Sequence, residues 1–200
     1  MDLQSSIPGL GGPWRWVVAP AAWRTDGGSL VVDALPRSDV FADPGGGGTV
    51  LGAARLLRPV SGDFRLRARV RGEFRSTYDA GVLLAWAGDA SWAKLCLERS
   101  PQGVAMVVSV VTRGVSDDAN AFAVDGDTAW LRIARTGDAF AFHASTDGAW
   151  WQLIRYFTID GATTAEVGLE AQSPTGDGCR VTFSDVSLER GGIANLRDGS

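Results

Sequence analysis

Every second side chain from Phe64 to Arg71 is apolar: Phe64, Leu66, Ala68 and Val70 fall on one side, and Arg65, Arg67, Arg69 and Arg71 on the other. A period of two marks a β-strand with one face toward a core. The same phase assigns Ala93, Leu95 and Leu97 inward and Trp92, Lys94, Cys96 and Glu98 outward. It sends Leu131 and Ile133 inward, with Trp130 and Arg132 outward, and buries Val167, Leu169 and Ala171 while presenting Glu166, Gly168, Glu170 and Gln172. Strands are predicted at 14–18, 29–34, 64–70, 81–86, 93–98, 105–112, 129–135, 139–145, 151–157, 165–171 and 180–188. No stretch of helical length repeats at i, i+3, i+4 and i+7. The expected fold class is all-β, two packed antiparallel sheets.

One run breaks the alternation. Val107-Val108-Ser109-Val110-Val111 is nearly continuous apolar chain, as expected of a central strand buried on both faces, and Thr112-Arg113-Gly114 ends it. Arg113 to Asp118 is expected as a loop at the rim, with Arg113 reaching an acidic group or a ligand oxygen. Thr136-Gly137-Asp138 and Asp147-Gly148 read as hairpin turns. The glycine run 44–50 reads as a flexible loop; no lysine follows it, so it is no phosphate-binding loop.

Two hundred residues, 45% hydrophobic and 21% charged, suit one globular domain, placed at 1–190 with a flexible tail at 191–200. No apolar run approaches the roughly 18 residues that span a bilayer, and the N-terminal stretch lacks a basic and an apolar targeting region. The expectation is a cytoplasmic protein with no membrane partner. Cys96 and Cys179 then read as reduced, buried thiols. A net charge of −4 disfavours nucleic acid as a partner. Lys94 is the sole lysine, so nearly all positive charge is arginine.

Several chemistries drop out. With His143 the only histidine and two distant cysteines, a zinc site lacks ligands; no metal or cofactor is expected, although Asp117 and Asp118 are the residues that Ca²⁺ would use. No G-x-S-x-G elbow supports a serine hydrolase. Glu98 and Glu170 both take outward phases, which suits either a carboxyl pair for glycoside chemistry or neutralisation of Lys94, Arg132 and the arginine row. Among eight tryptophans, Trp86, Trp150 and Trp151 read as core residues. Trp92 and Trp130 share a phase with charged neighbours, as sugar-stacking platforms or as rings packed under arginine stems.

The stretches VSGDFRLRARVRG, YDAGVLLAW, SWAKLCLE, SVVTRGVSDDAN, WLRIARTGDAFAFHASTDGAWWQLIR and VGLEAQSPTGDGCRVTFSDVSL, in this order from about Asp39 to Leu188, resemble a family of uncharacterised concanavalin A-like domains that includes a fungal regulator-of-enolase protein. The resemblance implies a jelly-roll sandwich whose concave sheet binds glycans in relatives of that fold. Its recurring positions fall here on Tyr78, Asp79, Trp92, Lys94, Glu98, Thr112, Arg113, Ser116, Asp117, Trp130, Arg132 and Pro174. Asp118 replaces an aromatic, and the alternating Glu and Asp of glucanases is missing. The leading expectation is a sugar- or glycoconjugate-binding face formed by Tyr78, Trp92, Lys94, Glu98, Arg113, Asp117, Trp130, Arg132 and Glu170. Catalysis by Glu98 with Lys94, and a protein partner among metabolic enzymes, are the alternatives.

Overall fold

The computed structural model describes residues 11–200. Two seven-stranded antiparallel sheets face each other. Sheet 1 runs, from edge to edge, β1 (Arg15–Val18), β6 (Ala54–Pro59), β15 (Glu166–Gln172), β8 (Ala80–Gly88), β9 (Ser91–Arg99), β10 (Ala105–Arg113) and β11 (Val115–Ala123). Sheet 2 runs β14 (Gln152–Thr158), β13 (Ala139–Ser145), β12 (Thr128–Thr136), β7 (Phe64–Glu73), β16 (Arg180–Arg190), β3 (Ser29–Asp33) and β2 (Ala22–Asp26). A separate hairpin joins β4 (Val40–Asp43) to β5 (Gly48–Leu51). This is an all-β jelly-roll sandwich of concanavalin A-like type. The N-terminal reading of no targeting segment falls largely on residues 1–10, outside the described residues.

The predicted phases account for the core between the sheets. Leu66, Ala68 and Val70 of β7, Ala93, Leu95 and Leu97 of β9, Leu131 and Ile133 of β12 and Val167 and Leu169 of β15 meet there. Burying each leucine, isoleucine or phenylalanine contributes about 1.5–3 kcal/mol. Strands β2, β4, β5, β6 and β11 lie outside the predicted segments. β11 shows why: its outer edge leaves most of its residues exposed, so no apolar alternation marks it. Arg113 to Asp118 is therefore a tight turn at Arg113-Gly114-Val115 leading straight into β11, rather than a rim loop. The Val107–Val111 run is buried on both faces as expected, but β10 is next to the sheet edge, not central.

A second apolar layer lies outside sheet 1. Val40 and Ala42 of the β4–β5 hairpin cover Leu57, Leu84, Trp86 and Trp92, and the two indoles stack at 5.4 Å between centroids. The glycine run is the turn of this hairpin. The Asp43 carboxylate accepts from the Gly45 and Gly47 amides at 2.7 and 3.1 Å, which ties down a segment expected as a flexible loop. Ser116 of β11 fixes the hairpin from below, its Oγ accepting from the Ala42 amide at 3.0 Å.

Sheet 2 carries a different cover. The turn after β13 is built on Asp147, whose Oδ1 accepts from the Ala149 and Trp150 amides. Gly148, at φ 75°, lies so close to Trp130 that an added Cβ would come within 2.7 Å of the indole. Residues 191–200, expected as a flexible tail, lie on this face: the Leu196 carbonyl is 2.9 Å from His143 Nε2, and Ala194 and Asn195 amides donate to the Ser200 carbonyl.

Candidate functional site

The outer face of sheet 1 is only partly covered, and beside the hairpin it opens into a cleft of about 310 Å³. Strand register sets its floor. Lys94 on β9, Val110 on β10 and Asp118 on β11 stand in one cross-strand row. Glu98 lies two steps of the alternation further along β9, in one cross-strand row with Gln172 of β15 across β8. Asp39, Phe41 and Asp43 form the hairpin wall, and Tyr78 the opposite one.

Lys94 organises the charges. Its Nζ donates to Asp39 Oδ1 at 3.1 Å and to Gln172 Oε1 at 2.9 Å, and the side chain is 3% exposed. Burial works against its charge, but Asp39 and Glu170 outweigh it and hold the ammonium above its ordinary range. Glu98 is pushed up to about 8, chiefly by burial; Lys94 opposes the shift, and Asp118 and Asp39 add to it. Burial also raises Glu170 to about 7, again against Lys94. Among the described residues neither Glu170 oxygen has a hydrogen-bond partner. Asp118 is raised as well, burial being the first cause. At neutral pH the cleft thus presents a protonated Glu98 carboxyl as donor and Asp39 as acceptor around one fixed cation.

Tyr78 is held in an unusual backbone state. Its φ is 68°, in the left-handed region that costs a non-glycine residue on the order of 1–3 kcal/mol. The surrounding loop enforces it. Asp79, fully buried, accepts from the Arg75 and Ser76 amides at 2.9 Å and from Ser173 Oγ at 2.6 Å. The Tyr78 amide donates to the Arg99 carbonyl at 2.8 Å, and Gln172 Nε2 donates to the Tyr78 carbonyl at 3.2 Å. The result is a ring 42% exposed at the cleft.

The nine residues expected to form one face divide. Tyr78, Lys94 and Glu98 line the cleft, and Glu170 lies behind it within the influence of Lys94. Trp92 is fully buried beneath the hairpin, so it offers no open platform. Trp130 and Arg132 belong to β12 and hence to sheet 2, on the far side of the sandwich. Arg113 and Asp117 brace the two sheets: Arg113 donates to the Thr158 carbonyl at 2.8 Å, and Arg155 of β14 donates to Asp117 at 2.9 Å. Asp117 and Asp118 are neighbours on a strand and point to opposite faces, which separates the two carboxylates considered for Ca²⁺. Among the described residues no group of three or more His, Cys, Asp or Glu could hold a metal ion. Trp150, expected in the core, is 66% exposed, whereas Trp86 and Trp151 are buried.

Asp39, Phe41 and Asp43 were beyond sequence reasoning, because a hairpin folding across a distant sheet leaves no local signal. Gln172 did have one, since the alternation that presents Glu170 presents it too, whereas Asp118 fell in a stretch expected as a loop and so carried no strand phase. Among the described residues no helix is long and apolar enough to cross a membrane.

Known proteins share this architecture. Regulation of enolase protein 1 of Saccharomyces cerevisiae is 29% identical over 176 residues, covering 86% of this chain and 87% of its own. A crystal structure of a functionally unknown protein from Saccharomyces cerevisiae superposes with a TM-score of 0.83 at 27% identity, over 89% of this chain and 96% of that one. A xylan β-1,4-xylosidase from Bacillus halodurans matches in fold with a TM-score of 0.67 at 12% identity; 82% of this chain covers 33% of it. With residues 16–191 matching its defining pattern, the chain belongs to the DUF1349 family, a family of proteins of unknown function.

Proposed function

We propose that the cleft on sheet 1 binds a small polyhydroxylated ligand, a sugar or glycoconjugate. The observation that supports this most is the placement of Glu98, whose carboxyl burial pushes up to about 8, beside the ion-paired Asp39 and Lys94 at the base of a pocket walled by Tyr78 and Phe41. A hydroxyl both donates and accepts, so a polyol satisfies such a mixed set, while the aromatic edges cover its C–H faces. The volume of about 310 Å³ suits one or two sugar units rather than a long chain. Residence in the cytoplasm is part of this reading.

Isothermal titration with a panel of mono- and disaccharides tests it. Binding that weakens at least about tenfold in Tyr78→Ala and in Glu98→Gln, with the fold intact by circular dichroism, supports the cleft. A panel with no binder, or a binder indifferent to both substitutions, rejects it. Glu98 also has the protonation state of a general acid at neutral pH, and turnover lost in Glu98→Gln with binding kept would place catalysis at the same residue. A protein partner is the second reading, favoured by the name of the yeast relative, a regulator of enolase. Co-purification with an enolase that survives Tyr78→Ala would support that reading over the first.

A further inference from the structure

We infer a second binding site, on the outer face of sheet 2, for a single tetrahedral oxyanion such as phosphate or sulfate. It lies on the opposite side of the sandwich from the cleft and does not depend on the reading given to that cleft. A hollow of about 100 Å³ there is lined by Arg65, Arg67, Arg132, Ser187 and Glu189. Three arginines converge on a space the size of one small anion.

The register makes the convergence deliberate in physical terms. Arg132 of β12 is directly opposite Arg67 of β7, and Arg67 is directly opposite Ser187 of β16. Like charges facing each other across a strand pair are destabilising. A sheet that keeps them normally supplies acceptors. Here Glu189 answers only Arg65, at 3.0 Å. Among the described residues the Arg132 side chain has neither a hydrogen bond nor an ion pair, and its Nε and one terminal nitrogen are buried without a partner. The Nε atoms of Arg65 and Arg67 are equally unpartnered.

Arg132 is 8% exposed, so little of its guanidinium meets bulk water. Its guanidinium is stacked over Trp151 at 4.2 Å, with Gly199 of the C-terminal segment packed beside it, and Arg67 lies over Trp130 at 5.9 Å. Aromatic stacking occupies the faces of a guanidinium and leaves its in-plane donors available. Burial, with Arg65 and Arg67 nearby, lowers Arg132 to about 10, in keeping with a cation that lacks an anion. Asp198 is the other acid near Arg132, but its carboxylate is engaged by Asn195 Nδ2 and the Ser200 amide. A phosphoryl or sulfuryl group would accept from Arg67, Arg132 and the Ser187 hydroxyl together, the charge-assisted geometry that arginine favours.

Thermal shift and titration calorimetry of the full chain with sodium phosphate and sodium sulfate, against sodium chloride at equal ionic strength, test the site. Phosphate at about 10 mM should raise Tm saturably and chloride should not, since a ligand bound only by the folded form stabilises it. Arg67→Gln, at a partly exposed position, should weaken phosphate at least about tenfold. Arg132→Met should abolish the phosphate response while leaving Tm in chloride unchanged or higher, which a purely structural arginine would not do. Glu98→Gln should leave phosphate binding intact, separating this site from the cleft. An equal response to chloride and phosphate, or a phosphate affinity unchanged in Arg67→Gln, overturns the inference. Glucose 6-phosphate distinguishes the source: binding tighter than inorganic phosphate points to a phosphorylated sugar, equal binding to the free anion.

Discussion

Lys94 and Arg132 occupy equivalent places on the two sheets: each is a largely buried cation on the outer side of a strand, with a segment that folds back beside it. Their surroundings are opposite. Lys94 sits among Asp39, Gln172, Glu98, Asp118 and Glu170, and two of its three donors are matched. Arg132 sits between Arg65 and Arg67 with buried donors unmatched. Burial of a charge is therefore not one energetic situation but two. Around Lys94 the cation makes a nest of carboxyls tolerable, so it belongs to the integrity of the fold. Around Arg132 the cation is a cost within the free protein.

The contrast can be broken most sharply by removing each charge. Lys94→Met strands Asp39 and Glu170 without their shared partner, and loss of one member of a buried ionic set costs about 3–5 kcal/mol; urea unfolding at neutral pH should show it. Trp92→Ala should cost a similar 3–5 kcal/mol, since it empties the layer beneath the β4–β5 hairpin. Trp130→Ala, at a half-buried ring on the other sheet, should cost clearly less in the same assay.

pH sharpens the comparison on the Lys94 side. Glu98 and Glu170 have folded values of about 8 and about 7, above the roughly 4.3 of a free glutamate. The folded state then holds more protons than the unfolded state between those limits, so stability falls as pH rises. The contribution is complete below about pH 4 and is lost as pH passes through about 7 to 8. Thermal melts from pH 5 to 8.5 should show this decline, and Glu98→Gln should flatten it. The smallest effect is expected from Arg132→Met in chloride buffer: a change within about 1 kcal/mol, or a gain, because a buried unpaired cation is replaced by an apolar side chain of similar length. A loss of more than about 2 kcal/mol would erase the distinction between the two faces.

The alternation of Phe64 to Arg71, of Trp92 to Glu98, of Trp130 to Arg135 and of Glu166 to Gln172 determined by itself which side chains of those strands meet between the sheets. That information is local, because consecutive residues on an extended chain must point to opposite faces. It also set Lys94, Glu98, Glu170 and Gln172 on one side of their strands. What no local pattern carries is which strands are neighbours and what covers an outer face. Strand pairing put Trp130 and Arg132 on the sheet opposite Trp92 and Lys94, dividing a group whose phases were alike. The β4–β5 hairpin, marked in the sequence only by its glycines, turned an expected open face into a buried Trp92 and a walled cleft. Those outcomes depend on contacts between residues far apart in the chain, such as Asp39 with Lys94, and only the tertiary structure decided them.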